Sequence, residues 1–250
     1  MPLERMSDPY LKTARAKVHF DALREELGDF SKSKPHRVHR QRDTKNQRYI
    51  IRLEIKPVPE FVPLIVGDCL GCLRASLDHL VWQLPQTIKP SRYPEGTEFP
   101  IMDAPNGKRL RDSTRGVPTE ARRMIETFQP YYGRQHDPSA IRSHLLWRLN
   151  TLCIIDKHRR IPAHSDTSLA MFPDLPPESW HLARLERLNN AYVVSVPLHL
   201  ESKMRLDPDP SFKVVFGDSF IGVECDTGGL DDMYNFVTNK VLPRFARFFK

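Results

Sequence analysis

The chain has 250 residues, of which 40% are hydrophobic, so it can bury a core as one large domain or two small ones. Its formal net charge of +7 permits an anionic partner such as RNA but does not require one. Residues 1–12 have no apolar signal segment, and the longest apolar run, 61–73, is too short to span a bilayer. We therefore expect a cytoplasmic protein that does not cross a membrane.

The first part of the chain, to about residue 165, is expected to be mainly helical. Apolar residues recur there at helical spacing, and prolines mark the helix ends. Helices are predicted over about 8–30, 60–84, 118–128 and 139–158. A basic stretch over 32–48 separates the first two helices, and a β-branched run over 49–55 follows it as a predicted strand.

The second part of the chain, over about 178–228, is rich in predicted strands. Asn189-Asn190 is predicted to turn a hairpin into the strand 191–196. A closing helix is predicted over 230–249. The sequence therefore predicts a single α+β domain over 1–250. It has a bundle-like helical part, an antiparallel sheet built mostly from the C-terminal part, and a C-terminal helix.

The helix predicted over 60–84 has charged side chains among apolar ones. One face is wholly apolar, whereas Gly67, Gly71, Ala75 and His79 form a low ridge on another side, which lets a helix or a ligand approach the backbone closely. Arg74 and His79 lie about 140° apart around this helix. A single copy cannot easily direct both at one atom, but two copies around a two-fold axis can.

Arg74 and His79, with four residues between them, resemble the Arg-x4–6-His motif of the HEPN superfamily. The wider string from Gly67-Asp68 to Leu77-Asp78-His79 also resembles an uncharacterised bacterial family with a G-D-x4-L-R-x2-L-D-H core. The resemblance implies a small helical domain that dimerises and cleaves RNA without a metal, as in toxin or phage-defence systems. It implies that His79 is the general acid or base and that Arg74 stabilises the phosphorane, giving a 2′,3′-cyclic phosphate. HEPN motifs often have a polar residue after the arginine, where this chain has Ala75.

Two other interpretations of the same residues remain open. In one, Arg74 and Asp78 form an ordinary i, i+4 ion pair and His79 is a structural histidine, so the protein is a scaffold with a buried polar network. In the other, the domain binds RNA, a nucleotide or a protein without catalysis. Asp78, Asp156 and His158 are predicted to support the site. Asp156 and His158 lie at the end of the helix over 139–158, and Arg74, His79 or His158 is the expected partner of Asp156. Alternatively, Asp156 caps its own helix.

The basic stretch is the candidate RNA-binding segment, because its cations can follow a phosphate backbone. The residues predicted to bind RNA are Lys32, Lys34, Arg37, Arg40 and Arg42. A solvated loop is the alternative. Cys69 and Cys72 form a single C-x2-C pair with no second pair, which favours buried thiols over zinc. No dinucleotide, Walker A, hydrolase or zincin motif occurs, so no cofactor or metal is expected.

Overall fold

A computed structural model describes residues 6–87, 96–133, 137–167, 177–188, 191–203 and 212–249 of the protein. The architecture is α+β, as the sequence predicts. The α-helices are α1 (Ser7–Lys32), α2 (Phe61–Gln83), α3 (Gly107–Ser113), α4 (Thr119–Thr127), α5 (Pro138–Ser143), α6 (Leu145–His158), α7 (Thr227–Asn235) and α8 (Leu242–Phe245). Among the helices so described, none is long and apolar enough to cross a membrane.

The strands form two sheets. They are β1 (His36–Asp43), β2 (Arg48–Ile55), β3 (Ala163–Thr167), β4 (Arg184–Leu188), β5 (Ala191–Pro197), β6 (Phe212–Asp218) and β7 (Val223–Cys225). The larger sheet has the order β1-β2-β5-β4 and its pairs are antiparallel, and the smaller sheet has the order β3-β6-β7. The predicted hairpin strands are present as β4 and β5, while Asn189-Asn190 lies outside the described residues.

The expectation that the sheet comes mostly from the C-terminal part is wrong for the larger sheet. Half of its strands, β1 and β2, belong to the N-terminal part. The basic stretch over 32–48 contains the whole of β1, while Lys32 ends α1 and Lys34 lies between the two elements. Strand β1 lacks an apolar alternation because it lies at the edge of the sheet, where its backbone pairs with β2 from His36↔Ile55 to Asp43↔Arg48. Charged side chains on an edge strand discourage pairing with other chains. Residues 36–43 therefore form a strand because their backbone pairs with β2, and the amino-acid composition does not reveal this pairing.

Two predicted helices are interrupted. The helix predicted over 139–158 is divided at His144, which is extended and caps α6 by accepting a hydrogen bond from the Leu146 amide at Nδ1 (3.2 Å). The closing helix begins at Thr227 and contains a π-helical stretch, Phe236–Val241, before α8. Pro243 follows this stretch and has no amide hydrogen for a regular helical bond. Proline and capping chemistry thus break helices whose apolar periodicity is continuous.

The chain folds into two compact units whose segments alternate along the sequence. The first unit contains Met1–Arg24, Phe61–Pro162 and Phe216–Lys250, and the second contains Glu25–Glu60 and Ala163–Val215. The core of the first unit includes fully buried side chains of α1, α2 and α8, such as Phe20, Leu73 and Phe245. The core of the second unit lies on one face of the larger sheet, where alternate residues of β2 and β5 are buried.

Candidate functional site

Arg74 and Asp78 of α2 together bind the backbone of Phe99. The Arg74 Nη1 donates to Asp78 Oδ1 at 2.5 Å, and Arg74 Nη2 donates to the Phe99 carbonyl at 2.9 Å. The Phe99 amide donates in turn to Asp78 Oδ1 at 2.8 Å. Glu98 lies beside them, with its Oε2 at 3.7 Å from Arg74 Nη2. The pair therefore fixes the chain segment around Phe99 onto the second helix.

This contact is largely removed from solvent. The side chains of Arg74 and Asp78 are only 15% and 35% exposed. Burial raises the pKa of the Asp78 carboxyl, although the charge of Arg74 and the Phe99 amide act to lower it. The i, i+4 ion pair considered from the sequence is thus present, and it is tied to a third partner that lies 21 residues further along the chain than Asp78.

His79 is half-buried on the same helix, but it takes no part in this cluster. Within the described parts of the chain, its ring makes no hydrogen bond or ion pair with a side chain or the backbone. Helical spacing separates it from Arg74 by about 140°. The two motif residues are therefore not brought to one point within a single copy.

Helix α1 runs antiparallel to α2 along the side that carries His79. Near one end, Gln83 Nε2 donates to Asp8 Oδ2 at 2.7 Å; near the other, His19 Nδ1 lies 4.0 Å from Asp68 Oδ2. Asp68 and His79 are eleven residues apart, which places them within about 20° of each other around α2. From the sequence, Asp68 was named only as part of the motif string and was not predicted to be a site residue. Its helical position on the same side as His79 was the signal that could have identified it.

Asp156 of α6 approaches α2 at Gly67. A Cβ atom built on Gly67 would lie 2.4 Å from Asp156 Oδ1, whereas one built on Gly71 would meet nothing within 4 Å. Burial, and then the charge of Asp68, raise the pKa of the Asp156 carboxyl. Of the two glycines on the predicted low ridge, Gly67 is therefore the one that admits a neighbouring helix.

The predicted partners of Asp156 are not found. In the described residues, Asp156 has no hydrogen bond or ion pair, and the charge that acts on its pKa is that of Asp68 instead of Arg74, His79 or His158. His158 is exposed, and Arg159 rather than Asp156 is the residue that caps α6. The reason is geometric, since the carboxylate of Asp156 points to the Gly67 end of α2 and Arg74 lies two turns further along the helix.

Within the second unit, the predicted RNA-binding residues do not form one surface. Lys32 is paired with Asp29 at 2.9 Å, and both oxygens of Glu201 accept from Arg42 Nε at 2.8 Å. Arg40 faces the opposite side of β1 from Arg37, because side chains alternate along a strand. Two of the five side chains are therefore already neutralised by carboxylates.

Lys34 and Arg37 do come together, in a cavity of about 340 Å³ beside the start of β1. Lys56, which follows β2, adds a third cation there, and Glu54 is also in the lining. The carboxylate of Glu54 is engaged by Arg52 at 2.9 Å and by His39 at 3.4 Å. Lys56 was missed because only the strand pairing brings it next to the basic stretch; its amide donates to the Pro35 carbonyl at 2.7 Å.

Three of the four free cysteines lie near one another in the first unit. Burial, together with the neighbouring thiols Cys72 and Cys153, raises the pKa of Cys69 to about 12. Burial also raises the pKa of Cys153 to about 12. Within the described residues, no group of three or more His, Cys, Asp or Glu side chains has a metal-binding arrangement. The arrangement favours buried, unreactive thiols at Cys69 and Cys153.

No protein-family model, curated protein or solved structure matches this chain. The resemblance to the HEPN superfamily therefore depends on the motif residues of α2 alone. In the structure, Arg74 makes a contact that stabilises the fold, whereas His79 has no polar partner among the described residues.

Proposed function

We propose that the protein is a HEPN-like, metal-independent endoribonuclease that acts as a homodimer, with His79 as the acid–base residue. The observation that carries the proposal is the half-buried ring of His79, which has no polar partner among the described residues. Histidine is the side chain whose unperturbed pKa suits proton transfer near neutral pH. A histidine with no structural bond to maintain is available for that task.

The reaction needs one proton acceptor and one proton donor. A neutral imidazole takes the proton of the ribose 2′-hydroxyl, the 2′-oxygen attacks phosphorus, and the bond from phosphorus to the 5′-oxygen breaks. A protonated imidazole gives its proton to the leaving 5′-oxygen, so the products are a 2′,3′-cyclic phosphate and a 5′-hydroxyl. Two copies of His79, one from each protomer, supply both groups.

Exposed apolar side chains on α2 support a homodimer. Leu64 and Trp82 are 48% and 37% exposed, and the position of Gly71 between them along the helix is open. Helical spacing puts these residues on one side of α2, next to the side that carries His79. Apolar and small residues on one side of a helix allow a second helix to pack closely.

Arg74 serves this reaction through its remaining hydrogen-bond donors and through its hold on Phe99. A guanidinium has five donors, and the contacts with Asp78 and the Phe99 carbonyl use two of them. Asp78 offsets much of the positive charge, so the donors that remain are the groups that can bind a phosphorane oxygen. Asp78 keeps the guanidinium in place.

The test is cleavage of total RNA and of tRNA in EDTA by the wild type and by His79→Ala. His199→Ala is the matched control, because His199 is an exposed histidine that belongs to the second unit and not to α2. We expect fragments ending in 2′,3′-cyclic phosphate from the wild type and the control, and none from His79→Ala at equal folded concentration. Equal cleavage by all three proteins would rule out His79 as the acid–base residue.

A non-catalytic scaffold or binding module is the second candidate, favoured by the contact of Arg74 and Asp78 with Phe99. The three hydrogen bonds of that cluster all stabilise the fold, as those of a structural network would. This candidate predicts that Arg74→Lys lowers the melting temperature while His79→Ala changes neither stability nor RNA binding. Cleavage by the wild type that is lost in His79→Ala would exclude it.

A further inference from the structure

An open cavity of about 480 Å³ lies in the first unit between α4 and the C-terminal helix. Its lining includes Arg123, Met124 and Phe128 from one side and Arg244 and Arg247 from the other. Its volume is within the range of roughly 300–1,000 Å³ that is usual for small-ligand sites. None of these residues belongs to the Arg74 and His79 region of α2.

The charges around the cavity are not balanced. Glu120 is the acidic residue in its lining, and its Oε1 is 2.6 Å from Arg247 Nη2. Arg123 and Arg244 are both exposed, and neither has a hydrogen bond or ion pair within the described residues. Two guanidinium groups therefore face this space with their donors available for an anion, and a planar guanidinium binds phosphate through two parallel hydrogen bonds.

Apart from the charged residues, the lining consists of Met124, Phe128 and Thr127, and the Thr127 hydroxyl donates to the Met124 carbonyl at 2.7 Å. Aromatic packing holds Phe128 in place. The ring centroid of Phe128 lies 6.2 Å from that of Phe245 and 6.2 Å from that of Phe236. Met124, one turn before it on α4, adds a flexible apolar side chain. An apolar surface with an aromatic ring beside two cations suits a molecule that has both a flat ring and a negative charge.

The π-helical stretch accounts for the position of the arginines on the C-terminal helix. A π turn adds one residue to a helical turn, which rotates everything after it by about 100° relative to a continuous α-helix. Arg244 and Arg247 follow this stretch directly, so the interruption before Pro243 decides which side of the helix they occupy. Such stretches are frequent at functional sites.

We propose that this cavity binds a nucleoside monophosphate unit, with the phosphate on Arg123 and Arg244 and the base against Met124 and Phe128. The unit is either a free nucleotide or the 5′-phosphorylated end of an RNA strand. Binding here does not depend on cleavage at His79, so the ribonuclease proposal and this one can fail separately.

The test is calorimetric titration of the full-length protein with UMP, AMP, inorganic phosphate and a 5′-phosphorylated single-stranded RNA of about eight nucleotides, roughly the site size of a single-strand binding domain. The RNA arm uses the His79→Ala variant so that the strand stays intact. Arg123→Ala and Arg244→Ala are compared with Arg111→Ala, an exposed arginine of α3 outside the cavity. We expect each cavity variant to weaken nucleotide binding by about tenfold, the usual effect of losing one charge-assisted contact, and the control to bind as the wild type does.

The two sources of the ligand are separated by affinity. Tighter binding of the RNA than of UMP supports the strand end, and equal binding supports the free nucleotide. The proposal is overturned if no nucleotide binds at millimolar concentration, if both cavity variants bind as tightly as the wild type, or if inorganic phosphate binds as tightly as UMP. The last result would mean that the apolar side of the cavity makes no contact with a base.

Discussion

Arg74 and Asp78 are one helical turn apart in α2 and grip the carbonyl and the amide of the same residue, Phe99. The guanidinium donates to the Phe99 carbonyl at 2.9 Å, while the carboxylate accepts from the Phe99 amide at 2.8 Å. An ion pair of this kind satisfies both polar groups of a buried residue, which an apolar pair could not do. The motif arginine therefore has a structural task whether or not the protein is an enzyme.

A double-mutant cycle on Arg74 and Asp78 measures how much their interaction contributes to the free energy of unfolding. We expect Arg74→Ala and Asp78→Ala each to lower the free energy of unfolding by about 1–3 kcal/mol, because each leaves a largely buried partner unsatisfied. The coupling energy should also lie at about 1–3 kcal/mol. The exposed i, i+4 pair Lys17 and Asp21 is the control, for which about 0.3–0.5 kcal/mol is expected. Equal coupling in both pairs would contradict a buried structural role.

Two glycines of α2 should respond to alanine in opposite directions. At Gly67 a new Cβ would collide with the carboxylate of Asp156, so we expect Gly67→Ala to destabilise the fold by about 1–2 kcal/mol. At Gly71 the same change meets open space and should stabilise the helix by about 0.5–1 kcal/mol. Urea denaturation checks both, and Asp156→Ala added to Gly67→Ala should recover part of the loss.

The effect of Asp156 on the stability of the fold should depend on pH. Because the fold raises the pKa of this carboxyl above its ordinary value of 3.8, the folded chain holds the proton more tightly than the unfolded chain does. As the pH rises from about 3.8 through the raised pKa, the Asp156 carboxyl ionises and the folded state loses stability. We expect Asp156→Asn to be more stable than the wild type near neutral pH and equal to it at about pH 3. Denaturation of both proteins at several pH values checks this, and a difference in stability that stays constant from about pH 3 to neutral pH would contradict it.

The cations of the β1 cavity should matter for RNA binding more than Arg42 does. Arg37 and Lys56 line the cavity with no side-chain partner among the described residues, whereas Arg42 is held by Glu201. We expect Arg37→Ala or Lys56→Ala to weaken binding of a single-stranded RNA and to reduce the salt dependence by about 0.7 per lost phosphate contact. Fluorescence anisotropy across a salt series is the measurement. An equal effect of Arg42→Ala would show that its ion pair opens on binding.

Thiol labelling should separate Cys72 from the other cysteines. Cys69, Cys153 and Cys225 are buried, and burial raises the pKa of each to about 12, so their reactive thiolates are scarce. We expect iodoacetamide to modify Cys72 first in the folded protein and the other three only on unfolding. Mass spectrometry of digests identifies the sites. Early labelling of Cys69 would mean that α2 opens locally.

Local patterns were sufficient for the two longest helices, α1 and α2. The apolar spacing of α2 and the proline after it indicated nearly the correct limits, because a helix is stabilised by residues three and four apart in the sequence. The same spacing indicated that Arg74 and Asp78 can pair and that His79 lies on a different side. It did not reveal Phe99, since the partner of that pair comes from a separate segment.

The α+β class, the principal helix and the charged residues on it were all predictable from the order of the amino acids, because they follow from short-range periodicity and composition. Three-dimensional packing was needed to show that β1 joins the sheet and that Asp156 meets Gly67 and Asp68 instead of Arg74. It was also needed to show which basic residues form ion pairs and which line the cavity beside β1. Those outcomes depend on contacts between residues far apart in the chain, such as Arg42 with Glu201. Such contacts are set by packing and strand register, which a local pattern does not encode.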